Sequence, residues 1–209
     1  MSILKKVLFT TISILTVYTS QAQITFKEPV SFKLKNGMNV IISENNQSPK
    51  AYSNFTLDTR TLKNRKDGVA ELLVAMIGEN AGKNENISFK DRTGSIATQT
   101  ANFDEELQNM AAAVQNIALN QNNFNTAKAK LMLSLKAQDY DYDGTVNENS
   151  VMALSLSDVT DFYNQITPAN FHLTVAGDVH SDEAKTSVKK AFGNWNKKAQ
   201  KDQDLEISK

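Results

Sequence analysis

The chain has 209 residues, 40% of them hydrophobic, which suits one folded domain and excludes a disordered chain. Lys plus Arg and Asp plus Glu both number 23, so no basic surplus points to nucleic acid. There is no Cys, which removes disulfides, Cys-ligated zinc, iron–sulfur clusters and thiol chemistry, and only His172 and His180 could serve an imidazole-dependent site.

The first 22 residues read as a secretory signal. Lys5 and Lys6 form the positive start, Val7 to Tyr18 the apolar stretch, and Ser20 and Ala22 the small-x-small site, so cleavage is expected after Ala22. The apolar stretch is short for a membrane span, and no stable membrane anchor is expected. Removal takes two Lys and no acid, leaving a mature charge of −2. A periplasmic or secreted location follows. The remaining chain divides into one unit over 23–196 and a charged tail, 197–209, in which no order is expected.

Phe32-Lys-Leu34 and Met38-Asn-Val40-Ile-Ile42 flank Asn36-Gly37, the strongest short hairpin signal. Tyr52 to Leu57 alternates and reads as a third strand. Val69, Leu72, Leu73, Met76 and Ile77 then form one helical stripe. Residues 78–94, with Gly78, Gly82 and Gly94, read as loop, and Ser95 to Gln99 as a short strand.

A helix is expected over about Asp104 to Asn120, with Leu107, Met110, Ala111, Val114 and Ile117 on one side and three acids in its first turn. Asn120–Asn123 breaks the pattern, and a second helix follows over about Asn125 to Ala137, with Leu131 and Leu135 facing in. Asp139 to Ser150 reads as an acidic loop. Ser157 looks like an N-cap for a stripe of Val159, Phe162, Tyr163 and Ile166 that Pro168 stops. Phe171 to Val175 alternates as a strand, Gly177-Asp178 turns it, and Ser181 caps a last helix carrying Ala184, Val188, Ala191 and Phe192. The order is α+β: one mainly antiparallel sheet with helices packed on one face. Phe162, Tyr163 and Trp195 are expected in the core.

Three segments carry a family resemblance. Leu34-Lys-Asn36-Gly37-Met38-Asn-Val40 resembles the "L-x-N-G-x-x-V" opening of the insulinase-type (pitrilysin-like, inverzincin) zinc metallopeptidases, which include the mitochondrial processing peptidases. Gly68-Val-Ala70-Glu71-Leu72-Leu73-Val74-Ala75-Met76 is similar to their "G-x-A-H-F-L-E-H-M" helix. Leu156 to Tyr163, Pro168-Ala-Asn170, Val175-Ala-Gly177-Asp178-Val179 and Phe192-Gly193-Asn-Trp195 resemble their closing segment. The match spans about residues 31–196, as a single, shortened unit, where family members usually join two.

The resemblance implies a zinc site that this sequence does not carry. In H-x-x-E-H two His on one helix face bind the metal and the Glu is general base. Glu71, Val74 and Ala75 stand at those positions, and the third ligand position falls near Ser134. Zinc is therefore expected to be absent, with no catalytic residue left. Glu71 is expected as an ordinary solvated helix residue rather than a polar remnant of the cleft. His172 and His180 match no ligand position.

Asp139-Tyr-Asp141-Tyr-Asp143-Gly144 copies the first half of a calcium loop, with oxygens at positions 1, 3 and 5 and Gly at 6. Position 12 is Ser150, and Glu148 comes two residues early, so Asp139, Asp141 and Asp143 could hold calcium only weakly. Against that stands a solvated loop. The leading expectation is an exported non-catalytic relative of the insulinase-type peptidases that binds a peptide or pairs with an active zinc-bearing homologue. The alternatives are an active metallopeptidase with relocated ligands and a calcium-stabilised structural module.

Overall fold

The computed structural model describes residues 27–63, 65–137 and 144–198. The proposed signal segment, the Asp139, Asp141 and Asp143 ligands, and residues 199–209 of the tail lie outside the described residues.

The elements are β1 (Val30–Lys33), β2 (Asn39–Glu44), β3 (Lys50–Leu57), α1 (Val69–Ala81), β4 (Ile87–Lys90), β5 (Thr93–Gln99), α2 (Phe103–Gln115), α3 (Gln121–Lys136), α4 (Glu148–Met152), α5 (Leu156–Gln165), β6 (Phe171–Gly177) and α6 (Ser181–Phe192). One six-stranded sheet runs in the order β1-β2-β6-β3-β5-β4. Every pairing is antiparallel except β2 with β6, which is parallel.

The period-2 pattern decides which face is covered. In β3, Ala51, Ser53, Phe55 and Leu57 are buried, while Lys50, Tyr52 and Asn54 are exposed. Register lines up Val40, Leu173, Phe55, Gly94 and Phe89 across five strands on the inward face. The outward row beside it is Ser31, Ile41, Thr174, Asn54, Ser95 and Ser88, polar apart from Ile41. The helices supply the other side of the core: α2 packs on β5, α6 on β2, and α1 on β4 and β5.

Aromatic stacking joins the ends of the chain. Phe55 stacks on Phe171 at 4.3 Å and on Phe192 at 5.3 Å, and Trp195 lies 5.2 Å from Phe171. Each such ring buries about 1.5–3 kcal/mol of transfer free energy. Asn36 fastens the first hairpin to the same place, its Nδ2 donating to Phe192 O at 2.7 Å and Trp195 O at 3.1 Å. Gly37 has φ 95°, and a Cβ there would stand 2.8 Å from that of Ala169. The Asn-Gly pair thus makes the turn and lets two distant segments touch it.

Several local expectations are corrected. Residues 78–94 are not loop: α1 continues to Ala81, β4 follows, and β5 starts at Thr93. Gly78 suggests loop by composition, but it lies inside α1, where a Cβ would be 3.1 Å from that of Phe89, so its bareness admits the edge strand against the helix. Asn120 caps α3 by accepting from Asn123 N, so that helix starts earlier than Asn125, and α2 stops at Gln115. The cap of α5 is Ser155, in a reciprocal box with Asp158; Ser157 is inside the helix. His180, not Ser181, occupies the N-cap of α6, and Glu44 Oε1 accepts from Ser181 N at 2.9 Å. Within the expected acidic loop, Glu148–Met152 is helical, and Ser150 serves in the cap box with Asn147. Lys197, first residue of the expected tail, donates to Tyr163 O and Ile166 O at the end of α5.

Candidate functional site

Helix α1 has two working faces. Val69, Leu72, Leu73, Met76 and Ile77 are buried in the core. Glu71, Ala75, Gly78 and Glu79 recur at helical spacing on another side and line a cavity of about 290 Å³. Lys130, Leu131 and Ser134 of α3 and Ile87, Phe89 and Lys90 of β4 complete it. Three of the four motif positions, Glu71, Ala75 and Ser134, therefore meet in one cavity; Val74 is buried and does not line it.

Glu71, expected as a solvated helix residue, is instead mostly buried: its side chain is 11% exposed. Arg92 Nε stands 3.6 Å from its Oε1. Burial raises the Glu71 pKa, against the pull of Arg92 and then Arg65. Asp91, in the turn between β4 and β5 with φ 53°, is also raised by burial. Glu79 is neutralised by Lys130 at 2.6 Å.

A second cavity, about 190 Å³, adjoins the first at the start of α1 and shares Glu71 and Asp91 with it. Here the cations are Arg65, Lys66 and Arg92. Arg65 Nη1 and Arg92 Nη1 both donate to Thr59 Oγ1, at 2.8 and 3.2 Å, and Thr59 is buried. Lys66 pairs with Asp158 at 2.6 Å and holds its carboxyl down to about 2.

The two His do not converge. His172 lies on β6, on the uncovered sheet face, with Nε2 3.3 Å from Asp58 Oδ2. Arg60 donates to both oxygens of Asp58 and holds that carboxyl well below the usual carboxylate range. His180 is exposed at the head of α6. Among the described residues no group of three or more His, Cys, Asp or Glu could hold a metal ion. With Ala75 in the cavity and Val74 buried beside it, the motif positions offer no imidazole pair for zinc.

Arg92, Arg65, Glu79 and Lys130 escaped the sequence reading. Glu79 carried the one local signal, following Glu71 by eight residues on the same helix. The arginines arrive from separate turns.

The closing segment matches the family model described as "Peptidase M16 inactive domain", over residues 153–208. No protein of curated function matches the sequence. The fold is similar to a protease from Helicobacter pylori (TM-score 0.67, 19% identity, 84% of this chain and 52% of that one). It is also similar to the periplasmic protease PqqL from Escherichia coli (TM-score 0.67, 13% identity, 88% of this chain and 26% of that one). A third likeness is a peptidase M16 inactive domain from Pseudomonas fluorescens (TM-score 0.63, 16% identity, 82% of this chain and 52% of that one). This chain spans about half the length of the first and third and about a quarter of PqqL. The resemblance to the insulinase-type peptidases holds at the level of fold: the chain has the fold of a single M16 unit, and its closing segment matches the inactive-domain model.

Proposed function

We propose that this chain is an exported, non-catalytic relative of the M16 peptidases that holds an extended peptide along β4. The carrying observation is the juxtaposition of an edge strand and a polar cavity. β4 ends the sheet, pairing with β5, and its Ile87, Phe89 and Lys90 also wall the cavity of Glu71, Ala75 and Ser134. An extended segment could add to that edge by backbone hydrogen bonds while its side chains enter the cavity.

Binding of an unfolded peptide, read by fluorescence anisotropy, tests this. The expected result is saturable binding that is lost when alternate backbone nitrogens of the peptide are methylated. Equal binding of the methylated peptide would overturn the β4 mode. One zinc per chain in metal analysis, with chelator-sensitive hydrolysis, would instead favour the active-enzyme reading.

A second reading is supported by length. This chain covers 52% of the H. pylori and of the P. fluorescens chain, so a partner unit bearing the zinc motif could complete a chamber around the peptide. Co-purification of such a homologue from the native host tests it.

A further inference from the structure

The two adjoining cavities share Glu71 and Asp91, and the second adds Arg65 and Arg92, so carboxyls and guanidiniums line one continuous groove. The guanidiniums of Arg65 and Arg92 converge on one neutral hydroxyl, Thr59 Oγ1. Two like charges sharing a neutral acceptor leave most of their donors without an anion, and a guanidinium has five. The nearest carboxylate, Glu71, reaches Arg92 only at 3.6 Å, longer than a direct hydrogen bond. Glu71 and Asp91, in turn, are raised by burial although Arg92 lies beside both, so their carboxyls are poorly hydrated rather than isolated. Glu71 and Arg92 thus meet only loosely, which leaves hydrogen-bonding capacity on both for a ligand.

A simple anion would satisfy the arginines and be repelled by Glu71, Asp91 and Asp67, which also line the second cavity. A simple cation would meet the reverse problem. A group carrying both charges a few ångströms apart meets neither. β4 sets its direction: the strand runs from Ile87 to Lys90 and leads into Asp91 and Arg92, so a chain added parallel to it ends in the arginine cavity.

We propose that the paired cavities seat the C-terminal residue of a peptide ending in lysine or arginine. Its α-carboxylate lies between Arg65 and Arg92, and its side-chain cation lies against Glu71 and Asp91. The occupant is the free end of a chain already cut, as a product of cleavage after a basic residue would be. This rests on the peptide-binding reading above.

The test compares three peptides of one sequence on the full mature chain: ending in a free Lys, in a Lys amide, and in a free Leu. The free-Lys peptide is expected to bind about tenfold more tightly than either other, from the charge-assisted bonds that only it makes on both sides. Arg92→Gln is expected to erase the preference for carboxylate over amide, and Glu71→Gln the preference for Lys over Leu. Equal affinities of the three peptides would overturn the proposal and leave the β4 reading standing. A preference that survives both Arg65→Gln and Arg92→Gln would place the carboxylate elsewhere and overturn it too. No binding of any of them would remove the β4 reading as well. The peptide comparison on the unaltered chain stays decisive if a variant fails to fold.

Discussion

Gly177→Ala isolates one backbone contact on which the sheet depends. Gly177 ends β6 with φ 115°, a region that L side chains rarely adopt. A Cβ at this position would lie 2.2 Å from Lys50 O and 3.2 Å from Ala51 Cα. Neither neighbour is a side chain that could swing away. Lys50 O accepts from Asp178 N at 2.9 Å, and Gly177 O accepts from Asn45 N at 2.7 Å. Gly177 is also in register with both Glu44 of β2 and Ala51 of β3. The strained backbone costs about 1–3 kcal/mol, and forcing a methyl into packed backbone costs about 1–3 kcal/mol more. The sum, about 2–6 kcal/mol, is a large share of a domain stability of about 5–15 kcal/mol. Urea unfolding followed by the fluorescence of Trp195, the one Trp and buried, reads it directly. The melting temperature should fall by roughly 10 °C. A loss under about 1 kcal/mol would refute the reasoning, because the turn would then have room to back away from Lys50.

Glu71→Gln tests the burial of the cavity carboxyl. A raised folded pKa means that stability is lost as pH climbs from the unfolded value of 4.5 through the folded one. The variant should therefore be more stable than the native chain at pH 7, with the gap closing below pH 4.5; equal stability at both pH values would show Glu71 to be effectively solvated. Asn36→Ala should cost about 1–3 kcal/mol, since two carbonyls lose a donor and Met38 N loses an acceptor. Asn36→Asp should cost more, by setting a carboxylate against two carbonyl oxygens, and a thermal melt of Asn36→Asp matching the native chain would refute the tether.

Particular elements show how far the sequence carries. The Asn36-Gly37 hairpin, the alternation of β3 and β6, and the stripes of α1, α5 and α6 were legible, because each lies within a few residues and follows one period. Where tertiary contacts override local preference, the pattern misleads. Gly78 signals a break by propensity, yet it sits inside a helix so that Phe89 can approach. Ser157 and Ser155 compete as caps, and only Ser155 has Asp158 three residues on to close the box. β4 is four residues long and shows half-buried positions, too short for its period to stand out.

The cavity divides the same way. The sequence by itself placed Glu71, Val74 and Ala75 on one turn of helix and removed the imidazoles that zinc would need, because residue identity alone decides which side chains can ligate. It determined most of the strands and helices through local periodicity, β4 excepted. The tertiary structure alone decided that β6 enters between β2 and β3, that Ser134 and Ala75 line one cavity, and that Arg65 and Arg92 converge on Thr59 beside Glu71. Apart from Arg65 and Thr59, six positions apart, those meetings join residues far apart in the chain, where the cost of closing the chain is met by burying a shared core rather than by any local preference.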